Sequence, residues 1–200
     1  MLTAGNSCDS IVDAFVAAVN SAPREMLPKE DLPVPCLLCA EPPTDEFDWQ
    51  IVKSPGAGWL TDVEGRLPFR IPPTFRSLIA RYVFPRFRSG PLSFYGIGLP
   101  HPDSNGDEFR FAIFSDNTIG PFLMKQGLLP FARPADGSYD PVCFDWRGSK
   151  RRLEPTVVRV DHEEMLCNDR LRVVSQVAAG FDVLPERRTK ELRANDSENI

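Results

Sequence analysis

The sequence predicts an α+β protein, a largely antiparallel or mixed β-sheet flanked by N-terminal, central and C-terminal helices. Three observations carry this expectation. Apolar residues recur at helical spacing near the start, the middle and the end of the chain. Short β-branched and aromatic runs are bunched between residues 107 and 162. Gly, Pro and Asp clusters separate those runs by short turns, which favours antiparallel neighbours over crossovers.

The first helix is expected over roughly 10–20, where Asp9 or Ser10 can cap it. Ile11, Val12, Phe15, Val16 and Val19 form its apolar stripe. The composition then changes. Seven prolines lie between Pro23 and Pro55, so this region reads as an extended or looped arm with short strands at most. A central helix follows in "IPPTFRSLIARYVF", with Pro72 and Pro73 in its first turn and Phe75, Leu78, Ile79, Tyr82 and Val83 on one face. Pro85 ends it.

Beyond Asn105-Gly106, a turn signal, "EFRFAIFS" alternates Phe109, Phe111 and Ile113 against Arg110, Ala112 and Phe114, which reads as a strand. "GLLPFARP", "PVCFDW" and "TVVRVDH" read as three more. A closing helix is expected over roughly 168–184, carrying Leu171, Val174, Val177, Ala178, Phe181 and Leu184. The tail after Pro185 is almost devoid of apolar residues and is expected to be disordered. The organisation is then an N-terminal helix (1–22), a Pro-rich arm packed on the domain (23–61), an α+β domain (62–185) and a polar tail (186–200).

The bulk numbers exclude several classes. A hydrophobic content of 42% and a charged content of 26% are those of an ordinary soluble globular protein. The net charge of −5 argues against direct nucleic-acid binding, which needs clustered Lys and Arg. Arg147/Lys150/Arg151/Arg152 and Arg187/Arg188/Lys190 are short and read as solvated surface. No apolar run approaches the ~20 residues needed to cross a bilayer. Asp9 and Asp13 interrupt the N-terminal apolar stretch, so a signal peptide is not expected. The five cysteines at scattered spacings fit reduced thiols in a cytoplasmic protein.

Chemistry-bearing residues are sparse. Cys36 and Cys39 form C-x-x-C, but no second pair or histidine pair completes a zinc site. The Leu-Leu centre and proline-rich flanks do not suit a redox pair either, so idle buried thiols are the expectation, with a redox or metal role as the alternative. His101 stands in a loop and reads as a solvent-facing residue. His162 lies beside Asp161, Glu163 and Glu164, but neighbouring residues on a strand face opposite ways, which argues against an Asp161–His162 dyad. "GAG" at 56–58 and "GIG" at 96–98 lack the spacing and lysine of a phosphate loop.

The densest group is Asp136, Asp140 and Asp145 in "FARPADGSYDPVCFDWRG". Their spacing fails the calcium-loop pattern. Asp136-Gly137 is a favourable turn pair, and Asp140 precedes Pro141, so turn chemistry is the expectation.

These pieces together resemble the SUKH superfamily, and within it the Smi/Knr-type domains of fungal cell-wall regulators and bacterial immunity proteins. Ile71 to Phe75 match the helix opening, and Phe131, Ala132, Asp136, Gly137, Cys143, Phe144 and Asp145 match a strand–turn–strand. Pro155, Val157 and His162 match the next strand, and Ala178, Phe181 and Leu184 a closing helix. The likeness spans about residues 62–185. Glu64 and Gly65 alone correspond to the acidic residue and glycine expected ahead of the helix, and the arm lies outside the pattern.

The resemblance implies a non-enzymatic protein-binding module without cofactor, acting on a partner protein such as a nuclease-like toxin. An acidic surface suits a basic partner. The expected contact surface is the concave sheet face or its rim, with Asp136, Tyr139, Asp140, Asp145 and Trp146 as the regional candidates and Tyr139 and Trp146 as exposed anchors. A homodimer is left open. The alternative, from a different class, is a small hydrolase or metal-dependent enzyme in which Asp140, Asp145, Asp161 and His162 converge.

Overall fold

The structure is a computed structural model that describes residues 4–23, 25–28, 32–33, 36–37, 45–98, 107–148 and 153–184. Helix α1 (Ala4–Ser21) opens the chain. Val12, Phe15, Val16 and Val19 are buried, as their spacing requires. The arm contributes three two-residue strands, β1 (Leu27–Pro28), β2 (Glu46–Phe47) and β3 (Val52–Lys53). Asn20 of α1 fastens it: its side chain donates to the Ile51 carbonyl at 2.9 Å and accepts from the Ile51 N–H at 2.8 Å. Leu32, Cys36, Phe47 and Trp49 are buried in the main core.

Helix α2 (Gly58–Arg66) was not foreseen from the sequence, and the expected division between residues 61 and 62 falls inside it. Helix α3 (Pro73–Arg81) has the Pro-led first turn anticipated for it. The first available N–H, that of Thr74, donates to Glu154 Oε1 at 2.8 Å, so a carboxylate eighty residues away caps the helix. Phe75, Leu78 and Ile79 are buried, but the helix stops at Arg81. Tyr82 and Val83, expected on its apolar face, instead form β4 (Tyr82–Val83) and pair with β3. Their β-branched and aromatic side chains are as well buried in a strand as in a helix.

A hairpin follows, β5 (Phe87–Ser89) and β6 (Leu92–Phe94), turned at Gly90 with φ +58°. The segment expected as a strand is helical. Helix α4 (Glu108–Arg110) runs into a π-helical turn, Phe111–Ser115. Asp107 accepts the Arg110 N–H at 3.0 Å as the N-cap, a signal that overrides the short alternation. Phe109 and Ile113, four apart, are buried, whereas Phe111 is 61% exposed. Asn105 and Gly106 lie outside the described residues, as do His101 and Cys39. Helix α5 (Ile119–Lys125) was also unforeseen.

The three expected strands are present as β7 (Leu128–Pro134), β8 (Val142–Asp145) and β9 (Thr156–Val160). The closing helix is not. Asp161 caps a shorter helix, α6 (His162–Asn168), which Asp169 ends in the left-handed region at φ 49°. The chain then returns as β10 (Val173–Ala178), antiparallel to β9. Val173, Val174 and Val177 favour that strand through their β-branching, and a helical stripe through Val174 would have been buried, whereas it is 46% exposed. Ala178, assigned by resemblance to a closing helix, ends this strand, and Phe181 is buried in the turn after it.

The six strands β10-β9-β8-β7-β6-β5 form one antiparallel meander, confirming the α+β expectation. Alternation along the strands gives the sheet two buried faces. Phe131, Phe144 and Val157 join Phe15, Phe75 and Phe109 in the main core under α1 and α3. Leu128, Cys143, Val158 and Val160 face Leu123 of α5 and Met165 of α6 on the other side. Among the described residues, no helix is long and apolar enough to cross a membrane.

Candidate functional site

One end of this sheet gathers most of the chemistry. The β7–β8 connection, Ala135–Pro141, is held by its own side chains. Asp136 Oδ1 accepts the Ser138 N–H at 2.9 Å, and Gly137 adopts φ +87°, open to glycine at no steric cost. Ser138 Oγ accepts the Asp140 N–H at 3.1 Å. The turn chemistry anticipated for Asp136 is therefore in place.

Asp140 does more than close the turn. It is one of three buried polar or charged side chains among the described residues, 7% exposed. Its Oδ2 accepts from Arg159 Nε at 2.7 Å. Its Oδ1 accepts the His162 backbone N–H at 3.0 Å and lies 2.7 Å from His162 Nδ1. Burial by itself raises this carboxyl, but the His162 and Arg159 contacts outweigh it and hold it down at about 2. Arg159 also reaches Asp136 Oδ2 at 3.3 Å and Ser138 Oγ at 3.1 Å. The turn, the end of β9 and the first residue of α6 thus share one hub.

Asp161 serves elsewhere. Its Oδ1 caps α6 by accepting the Glu164 N–H at 3.0 Å, and its Oδ2 lies 3.4 Å from Arg172 Nη1. Donor atoms of Asp140, Asp161 and His162 lie within 4.8 Å of one another, the one such triad among the described residues. Both carboxylates are already engaged by arginines, whose positive charge opposes a cation there. The triad fits hydrogen-bonded structure better than a metal centre.

Tyr139 stands over this hub, 65% exposed. Its ring centroid is 6.0 Å from that of His162, and the Arg133 guanidinium lies 5.4 Å from it. The same guanidinium is 5.8 Å from the Tyr95 ring, so Arg133 bridges an exposed and a buried tyrosine. Burial pushes the Tyr95 hydroxyl up to about 12.

The other candidates are not here. Asp145 lies at the opposite end of β8, where it pairs with Arg147 through contacts of 2.9 and 2.6 Å. The four-residue cluster of the enzyme alternative therefore reduces to three. Trp146, expected as an exposed anchor, is half-buried and stacks on Phe69 at 6.3 Å. Cys36 is buried, its thiol donating to the Val83 carbonyl at 3.4 Å.

Sequence reasoning missed Arg159, Arg133 and Arg172. A signal was present: Arg159 interrupts a valine run and Arg133 sits in a strand between Ala132 and Pro134, places where a charge requires a partner. Compared with known proteins, the chain matches no family model, no curated protein and no solved structure.

Proposed function

We propose that the chain is a non-enzymatic, cytoplasmic protein-binding module of the immunity or regulatory type, with Tyr139 at the centre of its contact surface. The observation that carries this reading is the exposure of Tyr139 on a turn that four side chains immobilise. Asp136, Ser138, Asp140 and Arg159 fix the backbone on both sides of it. An aromatic side chain carried on a fixed backbone has only its own two torsions left to order on binding. Tyrosine and arginine are also the residues in which interface energy concentrates. Asp136, 57% exposed, shares its charge with Arg159 at 3.3 Å, so what favours a basic toxin-like partner is the chain's net charge of −5. Asp145 and Trp146, at the far end of β8, stand outside this surface.

The test is paired affinity capture, with wild type and Y139A as baits in the native cells, read by mass spectrometry. The expected result is a stoichiometric basic partner held by wild type and lost by a folded Y139A. Equal recovery by both baits places the contact elsewhere.

A second reading is favoured by one distance, the 2.7 Å between Asp140 Oδ1 and His162 Nδ1. A carboxylate so placed orients an imidazole and leaves Nε2 to act as a general base, the arrangement a small hydrolase needs. Hydrolysis of an ester or phosphoester panel by wild type, abolished in H162Q, is the result that replaces the binding-module reading.

A further inference from the structure

Glu154 stands where three parts of the chain meet. It lies just ahead of Thr156, which pairs with Asp145 at the end of the sheet remote from the Asp140 hub. Its Oε1 accepts the Thr74 N–H at 2.8 Å, at the start of α3. On its other side is the turn after β10. A Cβ added to the buried Gly180 would collide with Asp182 Oδ1 and stand 3.1 Å from Glu154 Cβ. The two acidic residues therefore converge on a space that only a bare glycine leaves open.

The second oxygen of Glu154 is buried and, among the described residues, has no hydrogen-bond partner. Trp146 Nε1 is also buried without a partner, so this donor does not satisfy it. Arg147, which follows β8 at the same end, is taken by Asp145 at 2.6 Å. A charged oxygen sealed from water with neither donor nor cation is costly. A protonated carboxyl instead presents an O–H there, and the orphaned acceptor becomes a donor.

We propose that Glu154 and Asp182 share one proton, Glu154 donating through Oε2 to the Asp182 carboxylate, and that this bond is an acid-closed clasp between α3, the lead into β9 and the turn after β10. The groups that face Glu154 support it. Burial is the largest influence and lifts its carboxyl above the ordinary 4.5, and the Asp182 charge lifts it further. Thr74, through its N–H and side chain, and the Phe181 N–H pull the other way without reversing the direction. From α1, Cys8 Sγ reaches this corner only at Thr74 Oγ1, 3.5 Å away.

A carboxyl held above its unfolded value binds its proton more tightly in the folded chain. The clasp's contribution is complete below the ordinary 4.5 and is lost as pH rises through the higher folded value. Asp140, held down at about 2, behaves in the opposite sense. Falling pH therefore closes the clasp at one end of the sheet before it loosens the hub at the other. This inference does not rest on the Tyr139 surface.

Two variants of the full chain test it. In E154Q the amide imitates the protonated carboxyl at every pH, accepting from Thr74 through its oxygen and donating through its nitrogen. The E154Q-minus-wild-type difference in thermal midpoint should be near zero at about pH 4.5 and grow positive towards about pH 8. D182N removes the neighbouring charge. The Glu154 carboxyl carbon, followed by NMR, should titrate above 4.5 in wild type and at a lower pH in D182N. A wild-type midpoint at or below 4.5 overturns the proposal, as does a midpoint that D182N leaves in place. An E154Q chain less stable than wild type at about pH 8 also overturns it, since the charge itself would then hold α3.

Discussion

Asp140 and His162, twenty-two residues apart in the chain, meet with 2.7 Å between Oδ1 and Nδ1, and the same oxygen accepts the His162 backbone N–H. One carboxylate therefore fixes the loop before β8 to the start of α6 while its other oxygen holds Arg159 of β9. Replacing Asp140 by Asn removes the charge that both partners address. D140N should lose roughly 1–3 kcal/mol of stability, the usual cost of disrupting buried hydrogen bonds to a charged group. Urea unfolding monitored by tryptophan fluorescence measures it. Full stability in D140N would mean that the hub is an ornament of the turn rather than its fastener.

The same carboxylate predicts an acid dependence. Its folded value is about 2 against an ordinary 3.8, so the unfolded chain takes up the proton first as pH falls. The contribution is complete above the unfolded value and is lost as pH drops through the folded one. Stability attributable to Asp140 should thus decline between about pH 4 and pH 2. The test is the D140N-minus-wild-type difference across that window. It should shrink towards low pH, and a constant difference would separate the stability loss from ionisation.

The legible part of the fold was the part whose signals are local and unopposed. Val12, Phe15 and Val16 at helical spacing, and the valine and phenylalanine runs of β7, β8 and β9, have one low-energy arrangement each. Residues 108–115 had two. Their alternation suited a strand, but Asp107 as a cap and Phe109 with Ile113 four apart suited a helix, and the cap won. The stretch after Asn168 had the reverse ambiguity, resolved because β9 offered Val173 and Ser175 a ladder that no sequence window contains. In the site, Asp136 was legible because an Asx turn is local. The Asp140–His162 pairing was not, because it depends on β8 and β9 being neighbours.

Core energetics provide a separate check on that helical segment. Phe75 is 2% exposed, and its ring centroid lies 5.4 Å from Phe109 and Phe131 and 5.1 Å from Phe144 and Phe181. Phe75→Ala should cost about 3–5 kcal/mol through lost burial and the cavity left behind. Phe111→Ala, at a residue 61% exposed, should change stability by no more than about 0.5 kcal/mol. Were 108–115 a strand with Phe111 on its buried face, both substitutions would be severe. Paired denaturation curves separate the two cases.

Gly120 tests the contact between α5 and the π-helical turn. A Cβ at this position would stand 2.5 Å from the Ala112 carbonyl oxygen and 2.8 Å from that of Ile113. Both are backbone atoms and cannot swing aside. Helix propensity alone favours Ala over Gly by about 1 kcal/mol. Gly120→Ala should nevertheless destabilise by roughly 1–3 kcal/mol, the overpacking cost, with a lowered thermal midpoint as the readout. A raised midpoint would show that the turn has room to retreat.

The thiols should divide by burial. Cys36 is buried and its thiol is pushed up to about 12 by desolvation, while burial takes Cys143 well above its ordinary value. Neither forms appreciable thiolate near neutral pH, and the thiolate is the reactive species. Cys167, on the outer face of α6, is exposed. Iodoacetamide applied to the native protein should therefore modify Cys167 well before Cys36 or Cys143, with peptide mapping to assign the sites. Both buried thiols should become reactive in denaturant. Rapid native labelling of Cys36 would contradict its placement in the core and reopen the C-x-x-C pair to redox or metal chemistry. Slow labelling, coincident with global unfolding, would establish that segment of the arm as part of the cooperative fold.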